Sequence, residues 1–303
     1  MTALRRPDFF IVGAPKCATT AMYAYLRAHP QVYLPDVKEL HYFGSDFVRR
    51  RTPRLSEEEY LAHFVDADGA LRVGEASVRY LQSKRAAEEI REFAPDGRII
   101  AMLRDPVEMM HAQHGEHLFL GMDDIADFGE ALAAEEERKR GERIPAATNI
   151  ADSLFYRDSA RFAEQLERYF DAFGRDRVHV IIYDDLREDP ARAYRETLAF
   201  LDVDPTFVPS FDVVNPAKAP RSTVLRDLVA DPPSWLRRLL RATTSRHLRK
   251  RVYEGLFRWN ARRSPRAPID PDLRRRLRAE LAPEVRRLGE LLDRDLTRWS
   301  RGE

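Results

Sequence analysis

The stretch Phe9-Phe10-Ile11-Val12-Gly13-Ala14-Pro15-Lys16-Cys17-Ala18-Thr19-Thr20-Ala21 decides the fold. Four consecutive apolar residues predict a buried strand, Gly13 to Lys16 a tight turn, and the two threonines the start of a helix. A helix N-terminus carries unpaired N–H groups and the positive end of the dipole, so such a turn suits a phosphate-like anion. Small residues at Gly13, Ala14 and Ala18 let the backbone wrap closely, Lys16 adds a mobile charge, and Thr19 and Thr20 add hydroxyls. The pattern differs from G-x-x-x-x-G-K-[ST], because Lys16 stands three residues before Thr19 and Ala18 replaces the second glycine. Taken alone, the loop fits an ordinary capped strand-to-helix turn equally well.

Outward from this turn the same alternation repeats. A helix follows with Met22, Tyr25, Leu26 and His29 on one face, stopped by Pro30. Ala86 to Phe93 is helical in pattern, and Arg98 to Leu103 is a second buried strand. Phe162, Leu166, Tyr169, Phe170 and Phe173 share a helical face, Gly174 ends it, and Val178 to Tyr183 is the next strand. Asp189-Pro190 then caps and opens a helix carrying Tyr194, Leu198 and Leu201. Strands alternating with helices predict an α/β fold, a three-layer arrangement of a mostly parallel sheet flanked by helices. Beyond about Asn215 no further strand is expected; Asp270-Pro271 opens a helix and Pro283 starts another segment. The expected organisation is one domain over 1–303, with an α/β core at 7–221 and a basic helical C-terminal extension at 222–303.

The 303 residues carry 51 Lys+Arg against 50 Asp+Glu, so a chain that binds nucleic acid through overall positive charge is excluded. That balance hides an asymmetry: from Ala217 onward there are 23 basic and 11 acidic residues, leaving 28 and 39 to the preceding part. The one cysteine, Cys17, rules out an internal disulfide and an all-cysteine metal site. The early apolar run is too short for a signal peptide or a membrane span, so a cytoplasmic location is expected. No H-E-x-x-H or similar zinc spacing occurs, and no metal is expected. Within 234–266 eleven basic residues face the lone acid Glu254, with Trp235, Leu236, Leu239, Leu240 and Leu248 at helical intervals. Such a stretch can lie on an anionic membrane or an acidic partner; the reading preferred is a packed helix with a solvated basic face.

Two further segments carry chemistry. Leu103-Arg104-Asp105-Pro106-Val107 is a strand end, an arginine, an N-cap and an N1 proline, again ready for an anion. Arg104 can grip phosphate with two parallel hydrogen bonds or simply pair with a carboxylate. Val37-Lys38-Glu39-Leu40-His41-Tyr42-Phe43 follows the first helix; by itself its Glu and His read as ordinary loop residues.

Together these segments resemble the PAPS-dependent sulfotransferases, most closely the heparan-sulfate-type branch and its bacterial relatives. The likeness runs from Pro7 to about Arg221. It implies a P-loop-like fold in which Lys16, Cys17, Ala18, Thr19 and Thr20 hold the 5′-phosphosulfate of PAPS. Arg104 would bind the 3′-phosphate with a serine at position 112, but here that residue is Ala112. A lost hydrogen bond to a charged group costs about 1.5–3 kcal/mol, and Gln113 or His111 are the candidate replacements. Lys218 and Arg221, in Asn215 to Ser222, resemble the family's late basic loop over the nucleotide.

The resemblance also assigns the chemistry: metal-independent sulfuryl transfer to a hydroxyl of a sugar, lipid or secondary metabolite. Glu39 would be the general base, His41 would orient the acceptor, and Lys16 would stabilise the departing PAP. In-line positioning can supply up to about 7–11 kcal/mol of such a barrier. Gly74-Glu75-Ala76-Ser77 resembles the family's acceptor-cleft edge, making Glu75 and Ser77 candidates for acceptor orientation. The acceptor pocket is expected from the loops Gly44 to His63 and Gly115 to Ile150. The alternatives are a P-loop kinase-like nucleotide enzyme and a non-catalytic PAP-binding protein with a degenerate 3′-phosphate site.

Overall fold

The computed structural model describes residues 5–211, 218–230, 232, 255–256, 259–263 and 266–301. Its centre is a parallel sheet of β1 (Phe9–Gly13), β2 (Val32–Tyr33), β3 (Arg72–Ala76), β4 (Arg98–Leu103) and β5 (Val178–Ile182), ordered β2-β3-β1-β4-β5. Phe9 to Val12 and Ile99 to Leu103 are 0% exposed, as continuous apolar runs must be in strands covered on both faces. Phe10 pairs with Glu75 on one side and Ile99 on the other. Gly74 is demanded by packing: a Cβ there would lie 2.0 Å from the Phe9 ring. The strand order reverses at β1, so the crevice beyond its C-terminal end is where this kind of sheet receives a ligand.

The helices are α1 (Thr19–Arg27), α2 (Glu57–Leu61), α3 (Ala86–Phe93), α4 (Pro106–Leu120), α5 (Phe128–Ala133), α6 (Glu135–Lys139), α7 (Tyr156–Ser159), α8 (Phe162–Phe173), α9 (Tyr183–Glu188), α10 (Pro190–Phe200), α11 (Thr223–Ala230) and α12 (Pro271–Leu292). Helices α4 and α10 start at their Asp-Pro caps, and α3 and α8 follow their apolar spacing without a side-chain N-cap. His29 lies past the end of α1, buried against the Phe207 ring with its Nε2 at 2.9 Å from the Asp204 carbonyl. Tyr183 belongs to α9 rather than to β5.

Two expectations for the C-terminal part are corrected. Pro283 does not start a new segment but sits inside α12, where Leu277, Leu281, Val285 and Leu288 are buried in one unbroken stripe. An internal proline costs about 3 kcal/mol; burial of that stripe against α8 and α4 outweighs it. A further strand pair also exists: β6 (Lys218–Pro220) runs antiparallel to β7 (Ala261–Arg263), with Lys218 opposite Arg263. The segments forming it lie about forty residues apart, beyond the reach of local pattern. Most of the 234–266 stretch falls outside the described residues. Among the described residues, no helix is long and apolar enough to cross a membrane.

Candidate active site

The turn after β1 is shaped by close packing. A Cβ on Gly13 would stand 2.7 Å from the Val78 carbonyl oxygen and from Leu81 Cβ. Lys16 and Ala18 take left-handed conformations, φ 59° and 65°. Ala18 is the N-cap of α1 and supplies no side-chain cap, so neither threonine plays the capping role open to it. Among the described residues, the N–H groups of Lys16 to Thr20 find no acceptor, which leaves a donor-rich nest at the positive end of a helix. Thr19 Oγ1 instead accepts from Lys38 Nζ at 3.4 Å. Lys16 Nζ pairs with Glu116 at 2.9 Å, a link from this loop to α4. Cys17 is wholly buried, and burial pushes its thiol up to about 12, so only its main chain faces the nest.

On the neighbouring turn, Asp105 caps α4 by accepting from the N–H groups of Val107 and Glu108. Arg104 lies over the Tyr183 ring at 4.7 Å and 3.9 Å from Glu108, which is also bridged by Arg274 at 2.7 Å. Ala112 is buried and has no hydroxyl to offer. Gln113 cannot stand in for one, since it is buried and donates to the Ser153 carbonyl oxygen on the far side. His111 packs against the Phe128 ring at 5.2 Å, and burial and the Arg266 charge push it down to about 4, keeping it neutral.

Arg266 is a participant that the sequence reading counted only as part of a basic face. Its stem lies against α4, and a Cβ on Gly115 would meet Arg266 Cδ at 3.1 Å. Burial and the like charge of Arg104 hold its guanidinium below the usual value, while Glu116 and Glu108 pull the other way. Among the described residues it makes no hydrogen bond or ion pair. Arg221 is exposed at the turn after β6, where its N–H donates to the Asn260 carbonyl; of Lys218 the structure describes the backbone.

Facing the nest is the Lys38 to Phe43 segment, with Glu39 and His41 at φ 66° and 50°. The end of β3 holds it in this unfavourable conformation. Glu39 N–H donates to the Ala76 carbonyl at 2.9 Å, His41 N–H to Ser77 Oγ at 2.9 Å, and Tyr42 N–H to the Tyr80 hydroxyl at 2.8 Å. Val78 N–H donates to Glu39 Oε2 at 3.0 Å, while Lys38 binds Oε1. His41 Nε2 stands 3.5 Å from Glu39 Oε2. Burial raises Glu39, but Lys38, His41 and the Val78 hydrogen bond outweigh it and keep the carboxyl below its ordinary range. Burial, reinforced by Arg79, Arg49 and Lys38 and opposed by Glu39, pushes His41 down to about 4. At neutral pH the pair is therefore a carboxylate beside a neutral imidazole.

Glu75 and Ser77 are not acceptor-facing residues as expected: they are 1% and 0% exposed. Ser77 donates to Glu75 and accepts from His41 N–H, so the two form the shelf under Glu39. Burial pushes Glu75 up to about 7. Arg79 is a second participant missed by pattern. It is 8% exposed, hydrogen-bonded to Gln82 Oε1 and His117 Nε2, and its charge bears on Glu39 and Glu116. Behind it His117, Tyr156, Asp123 and Arg138 form a buried chain ending in a fully buried ion pair of 2.6 Å. The two expected acceptor loops do meet, through the Arg49–Ile150 bridge, although α5 and α6 occupy much of 115–150. Among the described residues, no group of three or more His, Cys, Asp or Glu could hold a metal.

A family model described as a sulfotransferase domain matches residues 6–216. A crystal structure of a sulfotransferase from Alicyclobacillus acidocaldarius superposes with a TM-score of 0.74 at 31% identity, covering 98% of this chain and 100% of that one. Membrane-associated sulfotransferase kil1 of Dictyostelium discoideum is 22% identical over 274 residues, covering 65% of this chain and 56% of its own length. Human carbohydrate sulfotransferase 15 is 31% identical over 152 residues, 36% of this chain and 27% of its own length. Human bifunctional heparan sulfate N-deacetylase/N-sulfotransferase 3 is 25% identical over 211 residues, 68% of this chain and 23% of its own length. The chain thus spans just over half of the first of these relatives and about a quarter of the other two.

Proposed function

The chain belongs to the sulfotransferase family, and from that premise we propose that it moves a sulfuryl group from PAPS to a hydroxyl of a sugar, lipid or secondary metabolite. One observation carries this reading. Lys16 and Glu39 stand on either side of the uncapped N-terminus of α1, with Thr19 and Lys38 linking the two sides.

PAPS supplies a sulfuryl group on a good leaving group, the phosphate oxygen of PAP. The free N–H groups from Lys16 to Thr20 and the Thr19 and Thr20 hydroxyls fit its 5′ end. Arg104, with Arg266 near it, fits the 3′-phosphate, and that second guanidinium offsets the hydroxyl missing at Ala112. By the family resemblance, Lys218 and Arg221 would add charge to the same end of the donor. On donor binding Lys16 exchanges Glu116 for the bridging oxygen and neutralises the charge that grows there. Glu39 takes the acceptor proton, and neutral His41 orients the acceptor hydroxyl against it. A sulfonate carries less charge than a terminal phosphate, so these cations suffice and the reading needs no metal.

Thermal denaturation with and without PAP tests the proposal. PAP should raise the melting temperature, and Lys16→Ala or Arg104→Ala should abolish the rise. A rise with ATP and magnesium but none with PAP would sink it.

A further inference from the structure

Helix α12 lies beyond residues 6–216, the part that the family model matches, yet it touches the turn that carries Arg104. Arg274 and Arg278 stand four residues apart and so share one face of this helix. Arg274 pairs with Glu108 Oε1 at 2.7 Å, and Arg278 with Asp105 Oδ2 at 3.5 Å. These are the N-cap carboxylate of α4 and the acid of its first turn. Asp105 is already engaged with the Val107 and Glu108 N–H groups. Glu108 has its other oxygen, Oε2, 3.9 Å from Arg104, and among the described residues it meets only Arg104 and Arg274. The docking of α12 does not depend on Arg274. Leu277, Leu281, Val285 and Leu288 are buried, Glu280 pairs with Arg157 at 2.6 Å, and Glu284 accepts from Ala163 N–H at 2.7 Å.

Without α12 this turn would present two carboxylates and one guanidinium to an incoming phosphate. A carboxylate beside Arg104 competes for the same N–H groups and repels the phosphate. The Arg104 and Glu108 side chains are 21% and 27% exposed, so solvent screens that competition only in part. Resting on the sulfotransfer reading, we propose that Arg274 is a positioning residue for the donor: it draws Glu108 off Arg104 and leaves that guanidinium for the 3′-phosphate. Arg278 does the same for the charge of Asp105. With both in place the turn has three guanidinium groups to two carboxylates, and Arg266 adds another from beside Gly115. Helix α12 thereby sets donor affinity, acting through Arg104.

The test titrates PAP into the full chain by calorimetry. Arg274→Ala should weaken PAP binding about fivefold or more, and Arg274→Lys should keep part of the affinity. Adding Glu108→Gln to Arg274→Ala should restore wild-type affinity, because the competing charge is then gone. Glu108→Gln alone should bind PAP at least as tightly as wild type. Arg287→Ala breaks a pair with Glu167 further along the same helix and should leave PAP affinity unchanged. Wild-type affinity in Arg274→Ala, no recovery on adding Glu108→Gln, or an equal loss in Arg287→Ala overturns the proposal. If Arg274→Ala does not fold, Glu108→Gln decides alone, and weaker binding than wild type overturns it. Failure of the wild-type chain to bind PAP removes the sulfotransfer reading, and this inference with it; PAP binding that ignores Arg274 removes this inference only.

Discussion

Replacing Glu75 by Gln should stabilise the protein at alkaline pH and leave it nearly unchanged at acid pH. The carboxyl is 1% exposed, and burial raises it from 4.5 to about 7, helped by the Glu39 charge and opposed by hydrogen bonds from Ser77 and Tyr80. A carboxyl raised in the folded state favours folding fully below its unfolded value of 4.5. That contribution is lost as pH rises through about 7. The gap between the two values corresponds to about 3 kcal/mol, with no discount for solvent screening because the group is sealed. Unfolding entropy of about 2.1 cal/mol/K per residue makes this about 5 °C in melting temperature for a chain of this length. The amide of Glu75→Gln has the shape of the protonated acid, keeps an acceptor for Ser77 and presents its NH₂ to Tyr60, whose hydroxyl lies 3.5 Å from Glu75 Oε2. The assay is a series of thermal melts from pH 5 to 8.5 on both proteins. His41 and His111, both pushed down to about 4, act in the opposite sense: their contribution is lost as pH falls from 6.5 through 4. Wild type should therefore melt highest near the middle of the range, and only the difference between the proteins isolates Glu75. A difference that stays flat with pH, or that shrinks toward alkaline pH, refutes the assignment of a neutral Glu75.

Other perturbations probe the rest of the site. Ala18 holds a φ of 65° that glycine adopts freely; Ala18→Gly should stabilise the fold by about 0.5–1 kcal/mol in denaturant titrations, and a loss of stability would contradict the strain. His41 should show no ionisation near 6.5 when its ring protons are followed by NMR, and an ordinary titration there would overturn the charge balance described around Glu39. Asp123→Ala strands the fully buried Arg138 and should cost about 3–5 kcal/mol. Asp123→Leu with Arg138→Met should recover most of that loss, and equal damage from both variants would argue that the pair is not the cause.

The local signals in the chain are strong where a few adjacent residues share one job. Phe9 to Thr20 encodes strand, turn and anion nest within a dozen positions, and Arg104-Asp105-Pro106 encodes strand end and cap within three. Adjacent residues therefore suffice to read the parallel α/β architecture, the placing of Lys16 and Arg104 on adjoining turns, and the order of the segments around them. The placements of Glu75, Ser77, Arg79 and Arg266 emerge only in the folded chain. Glu75 and Ser77 become a shelf for Glu39 because β3 buries them beside β1. Arg266 reaches the Arg104 cleft because Gly115 leaves room for its stem. Pro283 stays within α12 because a buried stripe passes on both sides of it. In each case the deciding quantity is burial or the charge of a distant neighbour, and neither exists until segments far apart in the chain are packed together.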